Sequence, residues 1–188
     1  MFDAIIPLRS KSKGIKDKNL IKFKGDLLVN FTIKKLLKIK DIKRIFILTD
    51  SELYKKKIIR NKKIDLSYKR PKILSTDNSS VNDVILDFLK KEKNNPKLNK
   101  LLFFHVTTPL ISLREIKKSI SFIKKKKIDS LIHVSEMIEP PYECITKKGV
   151  NWKLLTNKYV TNRQNFKKFY FITGSMYYFT KKFFLRNK

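Results

Sequence analysis

Ala4-Ile5-Ile6-Pro7 runs directly into Leu8-Arg9-Ser10-Lys11-Ser12-Lys13-Gly14-Ile15-Lys16-Asp17-Lys18-Asn19, an apolar stretch followed by a polar, basic loop. So short an apolar run bounded by turn chemistry reads as a buried strand, and Pro7 fits its end because proline has no N–H to give to a ladder. The loop gathers Arg9, Ser12, Lys13, Gly14, Lys18 and Asn19 just after that strand. Phosphates are held by this mixture: lysine point charges, a planar arginine fork, and backbone N–H groups freed by glycine. It is not a Walker loop, because Lys13 precedes the glycine and no Gly-Lys-Ser/Thr follows. On residue types alone the segment is either a phosphate cradle or an ordinary basic loop of a lysine-rich chain.

Strands and helices alternate outward from it. Val29, Ile33, Leu36 and Leu37 line one helical face, and Ile42 to Leu48 reads as a second strand ending in Thr49-Asp50-Ser51. Val81, Val84, Ile85, Phe88 and Leu89 repeat the helical spacing, with Ser80 as N-cap and Asp83 as first-turn acid. Leu101 to Val106 is a third strand, Ser112 and Glu115 form a capping box ahead of Ile116, Ile120 and Ile123, and Ser130 to Val134 is a fourth strand. Parallel strands need crossovers, so this order predicts a mostly parallel sheet with helices on both faces, binding ligands at the carboxyl ends of its strands. After Glu136 the regularity weakens. Glu139-Pro140-Pro141-Tyr142 breaks the pattern and Lys147 to Phe169 has no clear period, so 136–171 is expected to leave the sheet. Tyr170 to Phe179 is a late strand in which Gly174 permits a bulge or a close backbone approach. All 188 residues are expected to form one domain.

Charge dominates the composition: 45 Lys plus Arg against 16 Asp plus Glu give +29. Only Arg9, Arg44, Arg60, Arg70, Arg114, Arg163 and Arg186 are arginine, and the lysines are dispersed. Base-edge and bidentate phosphate readers favour arginine, so a solvated lysine coat is preferred over nucleic-acid binding. Such a coat still concentrates small anions. The single cysteine, Cys144, excludes an internal disulfide and a multi-thiolate zinc site, which fits a cytoplasmic setting and a plain thiol role. No run of about 18 apolar residues is present and the first residues do not form a signal peptide, so no membrane association is expected.

The first loop resembles the signature of the acylneuraminate cytidylyltransferases, also called CMP-sialic acid synthetases, and of their pseudaminic and legionaminic acid relatives. Their pattern P-A-R-x-x-S-K-G-I-x-x-K-N is matched from Pro7 to Asn19. Further matches follow in order: Leu48-Thr49-Asp50, then R-P-x-x-L-x-x-D-x-x-S from Arg70 to Ser80, then His105-Val106-Thr107-Thr108-Pro109-Leu110 for L-Q-P-T-S-P-L. Late in the chain come Arg163-Gln164 and Thr173-Gly174-Ser175-Met176-Tyr177 for N-G-A-I-Y. The Kdo cytidylyltransferases fit this loop less well. The resemblance implies a three-layer α/β, Rossmann-like nucleotidyltransferase fold, with 136–171 as a projecting arm through which such proteins dimerise. It also implies transfer of a cytidylyl group from CTP to a nonulosonic acid sugar such as N-acylneuraminate, releasing pyrophosphate. Carried over residue by residue, Arg9, Lys13 and Lys18 are the catalytic cations. They join Ser12, Asn19, Arg70 and Ser79 in holding the nucleotide, while His105, Arg163 and Tyr177 face the sugar. Each also has a plain reading as a surface cation, a turn residue or a half-buried aromatic.

Two departures bear on activity. Lys11 stands where the family has a small or neutral residue. Mg2+ is the cofactor that the resemblance implies, but the carboxylate motif that would ligate it does not occur before Lys188. The C-terminal metal-motif region is therefore expected to be missing. The alternatives are a shortened, non-catalytic nucleotide-binding homologue and a basic polyanion-binding protein. His105 replaces a glutamine of the pattern, and it can both donate and accept a hydrogen bond at the same reach.

Overall fold

A computed structural model describes residues 1–10, 14–156, 162, 164 and 167–187. The opening run is β1 (Phe2–Leu8), two residues longer at its start than the Ala4 expectation. A small antiparallel pair, β2 (Lys22–Phe23) and β3 (Asp26–Leu27), leads into α1 (Leu28–Leu37). Then come β4 (Ile42–Thr49), α2 (Glu52–Lys57), β5 (Ile64–Asp65), α3 (Val81–Lys91), β6 (Lys100–Phe103) and α4 (Leu113–Lys126). The chain continues through β7 (Ser130–Glu136), β8 (Ile145–Lys148), β9 (Asn151–Leu154), β10 (Tyr170–Thr180) and α5 (Lys181–Arg186). The helix starts follow the cap chemistry. Ser80 Oγ accepts the Asp83 N–H at 3.1 Å, and the Ser112–Glu115 box closes with bonds of 3.1 and 2.8 Å.

The central sheet has the order β5-β4-β1-β6-β10-β7. β1 lies parallel to both β4 and β6, β4 is parallel to β5, and β10 runs antiparallel beside β6. The sheet is thus mostly parallel, as expected. The late strand enters between the third and fourth strands, so β6 and β7 are not neighbours. The third strand also ends at Phe103 rather than Val106, because the pairing of β1 with β6 stops at Ile5 opposite Phe103. One more backbone bond, from Phe104 N to the Ile5 carbonyl at 3.1 Å, closes the ladder. Pro7, two residues beyond Ile5, turns its backbone to the same side, where β6 no longer runs as a strand. Its missing N–H therefore removes no ladder bond, while β4 still pairs along its other side.

Alternation along β1 divides the core. Ala4, Ile6 and Leu8 join Val29 and Ile33 of α1 and Ile116, Ile120 and Ile123 of α4. Ile5 joins Phe46 and Leu48 of β4 and Val84, Ile85, Phe88 and Leu89 of α3 on the opposite face. Helices on both faces of one sheet make the three layers. Phe88 is central to the second face, with ring centroids 4.9 Å from Phe46 and 5.6 Å from Tyr68.

Contacts divide the described residues into two compact units, Met1–Ile132 with Gly174–Lys188, and His133–Thr173. The second includes an element absent from the sequence reading: β8 and β9 pair antiparallel around a two-residue loop, Gly149-Val150, with Gly149 at φ 61°. Ile138, Val150, Trp152 and Leu155 of this unit are exposed. None of the described helices is long and apolar enough to cross a membrane.

Phe88→Ala empties a closely packed position and is expected to lower the unfolding free energy by about 3–5 kcal/mol in urea melts. Phe122→Ala, on the exposed side of α4, should lie within about 0.5 kcal/mol of the parent.

Candidate functional site

The strand order reverses at β1, since the chain moves from it to β4 on one side and later returns to β6 on the other. At such a switch point the loops leaving the carboxyl ends diverge and a crevice opens between them. A cavity of about 300 Å³ lies there. The loop after β1 lines it with Pro7, Arg9, Lys18 and Asn19, the segment before α3 with Arg70, Asp77 and Ser79, and the turn after β6 with His105 and Thr107.

The first loop is held from below by β4 and α2. Asp50, directly after β4, accepts hydrogen bonds from Ser10 N at 3.0 Å and Ser10 Oγ at 2.7 Å. Ser51 caps α2 by accepting the Tyr54 N–H, which turns the Tyr54 ring inward. The Tyr54 hydroxyl lies 3.0 Å from Asp17 Oδ1 and 3.2 Å from the Ser10 carbonyl, and burial followed by the Asp17 carboxylate pushes its pKa far up. Asp17 sits in the left-handed region at φ 48° and starts the single turn Lys18–Leu20. Buried Asn19 ties this turn back to the strand end by donating to the Arg9 carbonyl at 3.1 Å. Both ends of the loop are fixed, with Arg9 and Lys18 left at the cavity.

Arg9 crosses the crevice, donating to the Thr76 carbonyl at 2.8 Å and pairing with Asp77 at 2.7 Å. Arg70, 9% exposed, donates Nε to the Leu74 carbonyl at 2.8 Å and so braces the turn that presents Asp77 and Ser79. Burial lowers its pKa and the nearby Asp50 carboxylate opposes that effect. Ser79 Oγ donates to the Ile73 carbonyl at 2.9 Å and lies 2.7 Å from Thr76 Oγ1.

His105 lines this cavity and a second, more apolar one of about 480 Å³, which Phe103, Ile132 and Tyr177 also line. Its ring stands edge-on to Phe103, with centroids 4.6 Å apart, and to Tyr177, 6.2 Å away. Burial, then the Lys18 charge, lowers its pKa below the ordinary 6.5, which keeps the imidazole neutral at pH 7. The turn after it is tied to α1, where Lys35 Nζ donates to the carbonyls of Pro109, at 2.6 Å, and Ile111. Gly174 has φ 69°, a conformation that side chains resist. A Cβ there would meet Tyr177 Oη at 3.8 Å, an ordinary contact, so backbone angle rather than crowding selects glycine.

Of the residues singled out in the sequence, Arg9, Lys18, Asn19, Arg70 and Ser79 thus share one cavity, His105 borders it, and Tyr177 joins His105 in the second. Ser12, Lys13 and Arg163 lie outside the described residues. The sequence reading missed Tyr54 and gave Asp50 and Asp77 no role, although both acids stand inside quoted motifs. Ser51 followed by Glu52, a cap with a first-turn acid, was the available signal for α2. No group of three or more His, Cys, Asp or Glu side chains poised to hold a metal occurs among the described residues. Asp50 and Asp77 are engaged with Ser10 and Arg9. The described residues therefore form no all-protein magnesium cage, and Asp77 is the one carboxylate among those that line the cavity; a Mg2+ ion that arrives with a triphosphate would take one or two carboxylates and complete its shell with phosphate oxygens and water.

A doubly wound sheet with a cationic cavity at its switch point defines an α/β protein of the class that binds ligands at the carboxyl ends of its strands. The chain belongs to the cytidylyltransferase family, whose model, described as "Cytidylyltransferase", matches residues 4–186. It is 30% identical over 188 residues to an N-acylneuraminate cytidylyltransferase of Streptococcus agalactiae, covering 98% of this chain and 44% of that protein. It is 27% identical to the post-translational flagellin modification protein B of Campylobacter coli, covering 95% of this chain and 77% of that one. The chain thus spans less than half the length of the streptococcal relative. Among solved structures, a CMP:2-keto-3-deoxy-manno-octonic acid synthetase complexed with CTP superposes with TM-score 0.71 at 12% identity, covering 98% of this chain and 76% of that one. A 4-diphosphocytidyl-2C-methyl-D-erythritol synthase from Anaerococcus prevotii gives 0.65 at 16%, covering 97% and 72%. These two likenesses concern the fold, and they agree with the expected nucleotidyltransferase architecture.

Asp50→Ala should cost about 1.5–3 kcal/mol, because two donors of Ser10 lose a charged acceptor, and amide exchange in 14–19 should speed up. Asp50→Asn, which keeps an acceptor, should cost less in the same urea melts. For His105, the folded-state pKa lies below the unfolded one. Its contribution to stability is therefore complete above pH 6.5 and declines as pH falls below that value. Urea melts from pH 7.5 to 5 should show a steeper loss for the parent than for His105→Gln.

Proposed function

We propose that this protein transfers a cytidylyl group from CTP to the anomeric hydroxyl of a nonulosonic acid of the N-acylneuraminate class, releasing pyrophosphate. The observation that carries the reading is the convergence of Arg9, Lys18 and Arg70 on one cavity at the switch point of a cytidylyltransferase-family sheet. The name of the streptococcal relative supports the acceptor class. In this reading Arg9 and Lys18 neutralise the triphosphate and stabilise the charge gathered by the departing pyrophosphate, with Ser12 and Lys13 of the same loop assisting. Asn19 holds the loop's shape. Arg70 and Ser79 form the nucleotide's other wall. His105, Tyr177 and Arg163 receive the sugar, with the Arg163 guanidinium pairing with the sugar's carboxylate.

The cytoplasm is the proposed site of action and magnesium the proposed companion of the triphosphate. A homodimer through 136–171 belongs to the same reading. The exposed apolar side chains Ile138, Val150 and Trp152 support it, since solvent is a poor neighbour for so many of them in one unit.

Calorimetry should detect CTP uptake that weakens with added salt, and Arg9→Ala or Lys18→Ala should weaken it about 10–100-fold, as loss of a charge-assisted contact implies. Pyrophosphate and a CMP-sugar should appear when CTP, magnesium and N-acetylneuraminate, pseudaminate or legionaminate are supplied together. A protein that takes up no CTP would refute the reading.

A further inference from the structure

We propose that His105 is the proton acceptor of the transfer, because it stands at the border of two cavities, one read above as the seat of the nucleotide and the other shared with Tyr177, which that reading turns toward the sugar. The inference rests on the cytidylyltransfer reading and adds a chemical role to it. Attack by a sugar hydroxyl on the α-phosphorus of CTP is accelerated by a group at the junction of the two substrates that can take the hydroxyl proton. Among the residues that line each cavity, His105 and Val81 line both, and of these only the imidazole can accept a proton.

The ring is presented for this task. It follows β6 at the switch point, and edge-on contacts with Phe103 and Tyr177 limit its rotation. Its backbone carbonyl is held by Thr108, whose hydroxyl donates at 3.0 Å. Among the described residues no hydrogen bond engages either ring nitrogen, so the proton-accepting atoms are not consumed by the protein. The titratable groups that face it are Lys18 from the first loop and Tyr177 from β10, while Arg9, Arg70 and Asp77 share the nucleotide cavity. With Lys18 near and water partly excluded, the imidazole is unprotonated at neutral pH and free to act.

The step balances. The hydroxyl oxygen forms a bond to the α-phosphorus, and the bond from that phosphorus to the bridging oxygen breaks. Pyrophosphate leaves with the electron pair, and the hydroxyl proton passes to the imidazole. The imidazolium then returns its proton to solvent. Glutamine, which the family pattern carries at this position, can donate and accept hydrogen bonds but cannot take up a proton, so this step is particular to a chain with histidine here.

His105→Gln tests the role because it preserves hydrogen bonding and removes basicity. The expected result is a fall in kcat of about 100-fold, within the range of general-base contributions, with KM for CTP within about twofold. In the parent, kcat/KM should fall as pH drops below 6.5, and this acid limb should vanish in His105→Gln. Lys18→Gln should move the limb's midpoint upward by removing the neighbouring charge, and added imidazole should partly restore the rate of His105→Ala. A His105→Gln variant that keeps the parent's rate and acid limb would overturn the proton-acceptor role and leave the transferase reading intact. CTP uptake without pyrophosphate release would overturn the role while nucleotide binding stands, and absence of CTP uptake would remove both.

Discussion

Pairing between β1 and β6 ends early, at Ile5 opposite Phe103, and the crevice follows from that. Beyond Ile5 and Phe103 the two strands no longer share a ladder, and Pro7 has no N–H that would extend it. The chain must therefore send Arg9 one way and His105 the other, and the gap between them is the cavity. β4 remains paired to β1 as far as Leu8 opposite Thr49, so it delivers Asp50 directly beneath Ser10. One strand is open on one side and fully paired on the other. That difference both opens the crevice and fixes the loop that lines it.

The electrostatics of the crevice differ from those of the surface. Most of the +29 charge is dispersed lysine in high dielectric, where each cation is screened and individually worth little. In the cavity, Arg9 already balances Asp77 and Arg70 is braced by a carbonyl, so the cations are oriented before any ligand arrives. Orientation in advance is what makes a fixed charge effective toward a developing charge. Asp77 also means that a phosphate entering beside Arg9 exchanges one anionic partner for another.

Much of this architecture could be read in the residues themselves. The apolar spacing of α3 and α4 and the caps at Ser80 and Ser112 gave their positions, because helix periodicity and cap chemistry are local. The placement of β10 between β6 and β7 was not legible, since strand order is decided by which faces bury together rather than by any local pattern. Val106 reads as strand because it is apolar, whereas the ladder stops at Phe103 and Val106 reaches the first-face core from the turn beyond it. The β8–β9 hairpin escaped because its strands are exposed on both faces and so lack alternation. At the site, the charged loop residues announced themselves by type and spacing. Asp50 and Tyr54 act through distant partners, 40 and 44 residues away from Ser10, and carry no local signature of that role.

Hydrogen–deuterium exchange with and without CTP is the decisive measurement, because it reports where on the chain the nucleotide sits. Slowed exchange is expected in the loop after β1, in 70–79 and in the turn after β6, with α4 and its lysine-rich outer face unchanged. Protection centred on α4, or none at the three cavity segments while CTP is bound, would contradict a nucleotide seat in the cavity.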